Sequence, residues 1–216
     1  ACERIPMIAI VVDNAGNLAS VARAVAHLGF ACTVTADAGA IRAAERIIFP
    51  GVGAAGAAMD SLKRAGLDVV LVEQFAAGKP MLGICLGTQV IMGCSEENDT
   101  RCLGIVAGRV TAFPVRLRDA DDRMLKIPHM GWNRIRVCVP HPLTAGIDPQ
   151  DEFYFVHSYY PVPDDAARVM ATTDYGIRFA SVLGWRNLAA TQFHLEKSGR
   201  PGLRMLANFC TWNPAV

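Results

Sequence analysis

The chain has 216 residues, 52% of them hydrophobic, and a formal net charge of +1. That supplies one substantial core, and a near-neutral chain without long runs of like charge argues against nucleic acid or an anionic membrane as principal partner. The seven cysteines are odd in number and contain no C-x-x-C pair, which speaks against a disulfide framework or zinc knuckle and for a reduced, cytoplasmic protein.

The first half alternates short apolar runs with helical patterns. Residues 8–12 read as a strand, 18–28 as a helix, 32–35 and 46–49 as strands, 57–64 and 69–77 as helices, and 81–84 as a strand that runs into a helix from Leu86. Nearly all-apolar strands separated by helices imply a parallel sheet covered on both faces. The second half changes character. Residues 106–115, 133–139, 153–156, 168–173 and 179–183 are strand-like and joined by short turns, with the mixed charges of 116–123 reading as a solvated hairpin tip. Residues 188–192 return to the central sheet and a helix over 202–209 closes the fold. The expectation is one α/β domain over residues 1–216 with an antiparallel β appendage. The first apolar run is too short for a secretory core, and no stretch approaches the roughly 18 residues of a spanning helix.

Two short stretches carry the chemistry. Gly83-Ile84-Cys85-Leu86-Gly87 after an apolar strand has the form of a nucleophile elbow, a tight strand-to-helix turn that projects one side chain. The flanking glycines let the backbones approach where a Cβ would clash. A thiol needs a base or a favourable field to act as nucleophile. Phe193-His194-Leu195-Glu196 supplies both a base and a carboxylate to orient it, the two side chains facing one way if the stretch ends a strand. Taken singly, the cysteine reads more readily as an inert core thiol and the histidine as a surface residue.

Acyl chemistry also needs oxyanion donors. Pro50-Gly51-Val52-Gly53 follows the strand 46–49, and an amide from Val52-Gly53 could join that of Leu86; the same tetrapeptide is also a common strand-to-helix turn. Gln89 lies one helical turn beyond Cys85, and Glu97 sits in an acidic patch; either suits a polar substrate or plain exposure. No phosphate-binding loop, H-E-x-x-H or EF-hand pattern occurs, so neither a cofactor nor a metal is expected.

With these residues the chain resembles class I (triad) glutamine amidotransferases. Pro128-His129-Met130-Gly131-Trp132-Asn133, Phe155-Val156-His157-Ser158-Tyr159-Tyr160 and Gln192-Phe193-His194-Leu195-Glu196-Lys197-Ser198 are more specific, and are similar to the branch that serves imidazole glycerol phosphate synthase. The resemblance implies a flavodoxin-like α/β fold with a mostly parallel sheet. It also implies a Cys85, His194, Glu196 triad that hydrolyses glutamine, and a (β/α)₈-barrel cyclase subunit that receives the ammonia in a heterodimer. By motif position, Gly51, Gln89, Glu97, Ser158 and Tyr159 would hold glutamine. Leu86, Val52 and Gly53 would stabilise the oxyanion, and Met130, Trp132 and Lys197 would face the cyclase. The family organises its oxyanion strand only when the cyclase is liganded, and PGVG is compatible with such a peptide flip.

The chain departs from the family pattern at Leu195, where a proline is usual, in the first loop (13–18), and at Gly93-Cys94, which leaves Glu96 as an alternative to Glu97. Other readings are an amidotransferase feeding a different pathway such as surface-sugar synthesis, a stand-alone cysteine peptidase or γ-glutamyl hydrolase, and a non-catalytic binding subunit.

Overall fold

The structure is a computed structural model that describes residues 7–12 and 18–214. Cys2 and most of the first loop (13–17) lie outside the described residues. In the first half β1 (Ile8–Val11), α1 (Leu18–His27), β2 (Cys32–Thr35), α2 (Ala38–Ala43), β3 (Arg46–Gly51), α3 (Ala55–Arg64), α4 (Leu67–Ala76), β4 (Met81–Cys85) and α5 (Leu86–Val90) follow one another. In the second half come β5 (Cys94–Ser95), β6 (Thr100–Arg101), β7 (Gly108–Ala112), β8 (His129–Arg134), β9 (Arg136–Val137), β10 (Glu152–His157), β11 (Tyr159–Pro163), β12 (Val169–Tyr175), β13 (Ile177–Trp185), β14 (Leu188–Thr191) and α6 (Gly199–Thr211).

One eight-stranded sheet in the order β2-β1-β3-β4-β14-β13-β12-β9 forms the frame. From β2 to β14 every pairing is parallel, in the flavodoxin-like order. β13, β12 and β9 then continue it antiparallel. Much of the expected appendage is therefore an extension of the central sheet. The remainder forms a β10-β8 pair and a small sheet ordered β11-β7-β5-β6.

The period of two along each strand explains why the apolar runs are continuous. Ile8 and Ile10 of β1, Ile48 of β3 and Leu82 and Ile84 of β4 join α1 and α6 on one face. Ala9, Val11, Ile47, Phe49 and Met81 join α2, α3, α4 and α5 on the other. Both faces are covered, so no polar alternation survives. Among the described residues no helix is long and apolar enough to cross a membrane.

The differences from the sequence reading are local. The helix α2 was not anticipated; its start is set by Asp37, whose carboxylate accepts the Ala40 N–H at 2.7 Å. β11 was also unread, and it carries Pro161 and Pro163. It pairs only with β7, and a sheet edge is where proline is tolerated. The stretch 106–115 is a strand only over Gly108–Ala112. The 116–123 segment is the hairpin tip read from sequence: Arg118 bridges Met124 antiparallel, the tip is exposed, and the Asp119 carboxylate accepts the N–H groups of Asp121 and Arg123 at 2.9 Å each.

Candidate active site

β3, β4 and β14 all point their C-terminal ends toward one side of the sheet, the edge at which open parallel sheets build sites. Cys85 stands there at the end of β4, with φ 54° and ψ −105°, a left-handed backbone that a non-glycine residue adopts only when its surroundings enforce it. They do. A Cβ on Gly87 would lie 1.8 Å from the Phe49 carbonyl oxygen, and one on Gly83 would lie 3.1 Å from the backbone of Gly87. Only glycines let β3, β4 and α5 close this tightly.

A cavity of about 410 Å³ opens over Cys85. Val52, Gly53, Cys85, Leu86, Gln89, Glu97, Ser158, Tyr159 and His194, all singled out from sequence, line it, and Pro128, Val156 and His157 complete the wall. Gly51, expected to touch glutamine, does not line it; it is buried at the end of β3 in register with Cys85. Of the two acidic candidates, Glu97 lines the cavity and its carboxylate also accepts the Ala55 N–H at the start of α3 at 2.7 Å. Glu96 instead accepts the Ala112 N–H at 2.9 Å.

His194 and Glu196 meet through Nδ1 and Oε1 at 2.7 Å, each side chain 3% exposed. The expected strand ending is not what aligns them. β14 stops at Thr191; His194 makes an isolated bridge with Tyr154, and Glu196 lies in the short 3₁₀ turn Leu195–Lys197. Ser198, 1% exposed, secures this geometry: its hydroxyl donates to the His194 carbonyl and accepts the Tyr154 N–H at 3.0 Å. Burial disfavours the imidazolium of His194, but the Cys85 sulfur and the Glu196 carboxylate outweigh it and push its pKa up to about 9. Nε2, the nitrogen not engaged by Glu196, is buried without a hydrogen-bond partner among the described residues. A cation beside the thiol favours the thiolate, the nucleophilic form.

A second polar chain runs along the cavity wall, and its direction follows from chemistry. The Asn133 amide nitrogen, a donor only, lies 3.3 Å from His129 Nε2. His129 therefore carries its proton on Nδ1 and donates to His157 Nε2 at 3.0 Å. His157 in turn donates from Nδ1 to the Tyr159 carbonyl at 2.8 Å. Burial lowers the pKa of His129 to about 4 and that of His157 to about 3, so both rings are neutral links at physiological pH. The same Tyr159 carbonyl accepts the Gln89 amide at 3.1 Å, and the other Gln89 N–H reaches Gln192 Oε1 at 3.3 Å. With both hydrogens used, Gln89 has its carbonyl oxygen free to accept from a bound molecule.

Met130 and Trp132 are 61% and 55% exposed on β8. Trp132 packs edge-on to Tyr154 at 5.8 Å between ring centroids, and Lys197 Nζ stands 5.7 Å from the same ring. Since Tyr154 also bonds the His194 backbone, this aromatic and cationic patch adjoins the site directly. Sequence reading passed over Tyr154 and gave Asn133, Gln192 and Ser198 no role, although all three stand in the motifs quoted for the resemblance. That membership, with the i+2 spacing of Gln192 from His194, was the available signal.

Comparison with known proteins gives the family. Residues 10–212 match the family model described as glutamine amidotransferase class-I. The imidazole glycerol phosphate synthase subunit HisH of Nitratidesulfovibrio vulgaris (strain DP4) is 53% identical over 203 residues, covering 94% of this chain and 95% of the relative. The protein of the same name from Methylococcus capsulatus is 50% identical over 211 residues, covering 96% and 97%. Among solved structures, PurLQS from Thermotoga maritima superposes with a TM-score of 0.69 at 16% identity, covering 95% of this chain and 98% of that one. A glutamine amidotransferase superposes at 0.66 and 17%, covering 92% and 96%; at such identities the likeness concerns the fold. With the family model spanning almost its whole length, the chain belongs to the class-I glutamine amidotransferases.

Proposed function

We propose that this chain is a single-domain glutaminase subunit of imidazole glycerol phosphate synthase, acting in histidine biosynthesis. It hydrolyses glutamine to glutamate and ammonia, which passes to a partner (β/α)₈-barrel cyclase subunit. The reading is carried by the meeting of Cys85, His194 and Glu196 at one cavity, in a chain about half identical to proteins named as HisH subunits of that synthase.

In this mechanism the α-ammonium and α-carboxylate of glutamine are held by Glu97, the Gln89 carbonyl and the Ser158–Tyr159 backbone. The side-chain carboxamide faces Cys85. The thiolate attacks the amide carbon, forming the C–S bond, and the oxyanion is taken by the N–H of Leu86 together with one from Val52–Gly53. Gly53, at φ 96°, holds a backbone conformation that suits glycine and leaves this peptide free to reorient. The His194 imidazolium gives its proton to the departing nitrogen, and ammonia leaves. Neutral His194 then takes a proton from water, which attacks the thioester; glutamate departs and the thiolate returns, while Glu196 keeps the ring in register.

The partner face in this reading is Met130, Trp132, Tyr154 and Lys197, next to the His194 backbone. The alternative of an amidotransferase feeding another pathway is disfavoured by the names and coverage of the relatives. The deciding experiment mixes wild type or Cys85→Ala with a purified cyclase. Glutamine-dependent synthesis should vanish in the variant while ammonia-dependent synthesis persists; retained use of glutamine would refute the assignment.

A further inference from the structure

We propose that Gln192 is a further catalytic residue: its side-chain amide is a donor aimed at the Cys85 sulfur, holding the thiolate before attack and receiving it again when the thioester is cleaved. The inference rests on the reading of Cys85 as nucleophile and deepens it.

Gln192 is wholly buried, at 0% exposure. An amide in such a place costs free energy unless its polar atoms are matched, and an apolar side chain would pack there without that cost. Its matching is specific. Oε1 accepts from Gln89 Nε2 at 3.3 Å, and Gln89 is itself oriented by the Tyr159 carbonyl at 3.1 Å. With the oxygen end so occupied, the NH₂ end is the one presented to Cys85, with Nε2 3.9 Å from Sγ. The backbone is pinned as well, since the Gln192 N–H donates to the Ser181 carbonyl at 2.9 Å. A fixed donor beside a sulfur stabilises the anionic over the neutral form, because hydrogen bonds to charged partners are the stronger ones.

The division of labour with His194 follows from the chemistry of the two groups. Imidazole can carry a proton to the leaving nitrogen and take one from water; a carboxamide cannot. Gln192 therefore acts only by electrostatics, at the two moments when the sulfur bears charge. A contact of 3.9 Å is loose, which suits a donor that tightens as the sulfur ionises and slackens when the C–S bond forms. The three links Tyr159 carbonyl, Gln89 and Gln192 also connect the cavity wall that would hold glutamine with the atom that attacks it.

The test uses the full chain carrying Gln192→Met, which keeps the volume and removes the donor. The rate of Cys85 carboxamidomethylation by iodoacetamide is followed across neutral to alkaline pH. Cys85 is read by peptide mass mapping, because Cys94 and Cys138 are exposed and also react. Relative to wild type, modification should be about tenfold slower near neutral pH and equal at alkaline pH, where formation of the thiolate no longer depends on the amide donor. With the partner subunit present, kcat for glutamine should fall about ten- to a hundredfold and KM change by less than about threefold. A purely structural role would lower the alkylation rate at every pH, and an idle side chain would leave the profile unchanged; either overturns the proposal. Should Gln192→Met not fold, judged by its thermal transition, Gln192→Asn retracts the donor by one methylene and should shift the profile in the same direction. Wild type showing no enhanced Cys85 reactivity near neutral pH would instead bring down the nucleophile assignment itself, which separates the two failures.

Discussion

Glu196 Oε1 lies 2.7 Å from His194 Nδ1 in a pocket that leaves both side chains almost without solvent, while the second carboxylate oxygen, Oε2, and His194 Nε2 are buried without hydrogen-bond partners among the described residues. The pair is thus committed to one contact and leaves one imidazole nitrogen for other work. Removing the negative charge while keeping the shape, as in Glu196→Gln, should lower the His194 pKa from about 9. It should also cut kcat by at least about a hundredfold, with KM little changed. An imidazole NMR titration and steady-state kinetics would check both; an unmoved titration would mean that the carboxylate does not hold the ring.

The same raised pKa has a consequence for stability. Burial alone opposes the imidazolium, yet the folded protein holds the His194 proton more tightly than the unfolded chain, whose ordinary value is 6.5. A raised pKa contributes stability that is fully present below pH 6.5 and lost as pH rises toward about 9. In Cys85→Ala, where the sulfur no longer supports the cation, chemical denaturation should show a flatter decline over that window. An unchanged slope would count against coupling between sulfur and ring.

Gly87 offers a test of the elbow as architecture. Gly87→Ala would drive a methyl to 1.8 Å from the Phe49 carbonyl, against backbone that is locked in the β3–β4 pairing. The strain cannot be relieved by a rotamer, so a loss of about 3 kcal/mol or more is expected, read as a lower denaturant midpoint. Gly53→Ala should behave differently, since none of the described residues lies within 4 Å of its added Cβ, and its φ of +96° is what opposes substitution.

How far the sequence carries the argument differs between elements. Apolar runs such as those of β1, β3 and β4 announce a doubly covered sheet because every residue on them but Arg46, at the start of β3, is buried. The elbow is legible because both its glycines and its nucleophile are contiguous. Gln192 and Ser198 are not legible in this way. Their partners Cys85 and Tyr154 lie 107 and 44 positions away, so only folding brings the groups together. Likewise the His194–Glu196 spacing suggests alignment, but the 3₁₀ turn that achieves it depends on Ser198 and on the bridge to β10. The antiparallel strands are visible as strands, and β13 meets β14 across a tight turn between Trp185 and Leu188, whereas the pairing of β14 with β4, which seats the whole antiparallel set on the parallel sheet, is long-range.

Trp132 and Lys197 bracket the Tyr154 ring on an exposed face next to the His194 backbone. If the partner docks there, Trp132→Ala should weaken the complex by about 2 kcal/mol or more, roughly thirtyfold in Kd, as exposed tryptophans at interface centres do. Hydrolysis that depends on the partner should fall with it at fixed concentration. Calorimetric titration of the subunits measures the first; unaltered affinity would move the interface elsewhere.

His129 and His157 set a limit at the acid end. Burial holds their pKa values near 4 and 3, below the 6.5 of the unfolded chain, so the unfolded state takes up protons first as pH falls. For these two groups stability is intact above pH 6.5 and erodes progressively below it, the reverse of His194. Each link in the chain from Asn133 to the Tyr159 carbonyl requires a neutral ring with its proton on Nδ1. Protonating His157 turns its acceptor nitrogen into a donor facing the donor of His129, breaking the chain beside the carbonyl that orients Gln89. His129→Gln removes one titrating ring and retains an amide that can donate toward His157. The variant should lose some stability at neutral pH, about 1–2 kcal/mol for a reshaped buried contact, yet show a shallower fall below pH 6. Its acid-unfolding curve, followed by circular dichroism, should therefore approach or cross that of wild type; a parallel curve would show that the buried histidines do not govern acid stability.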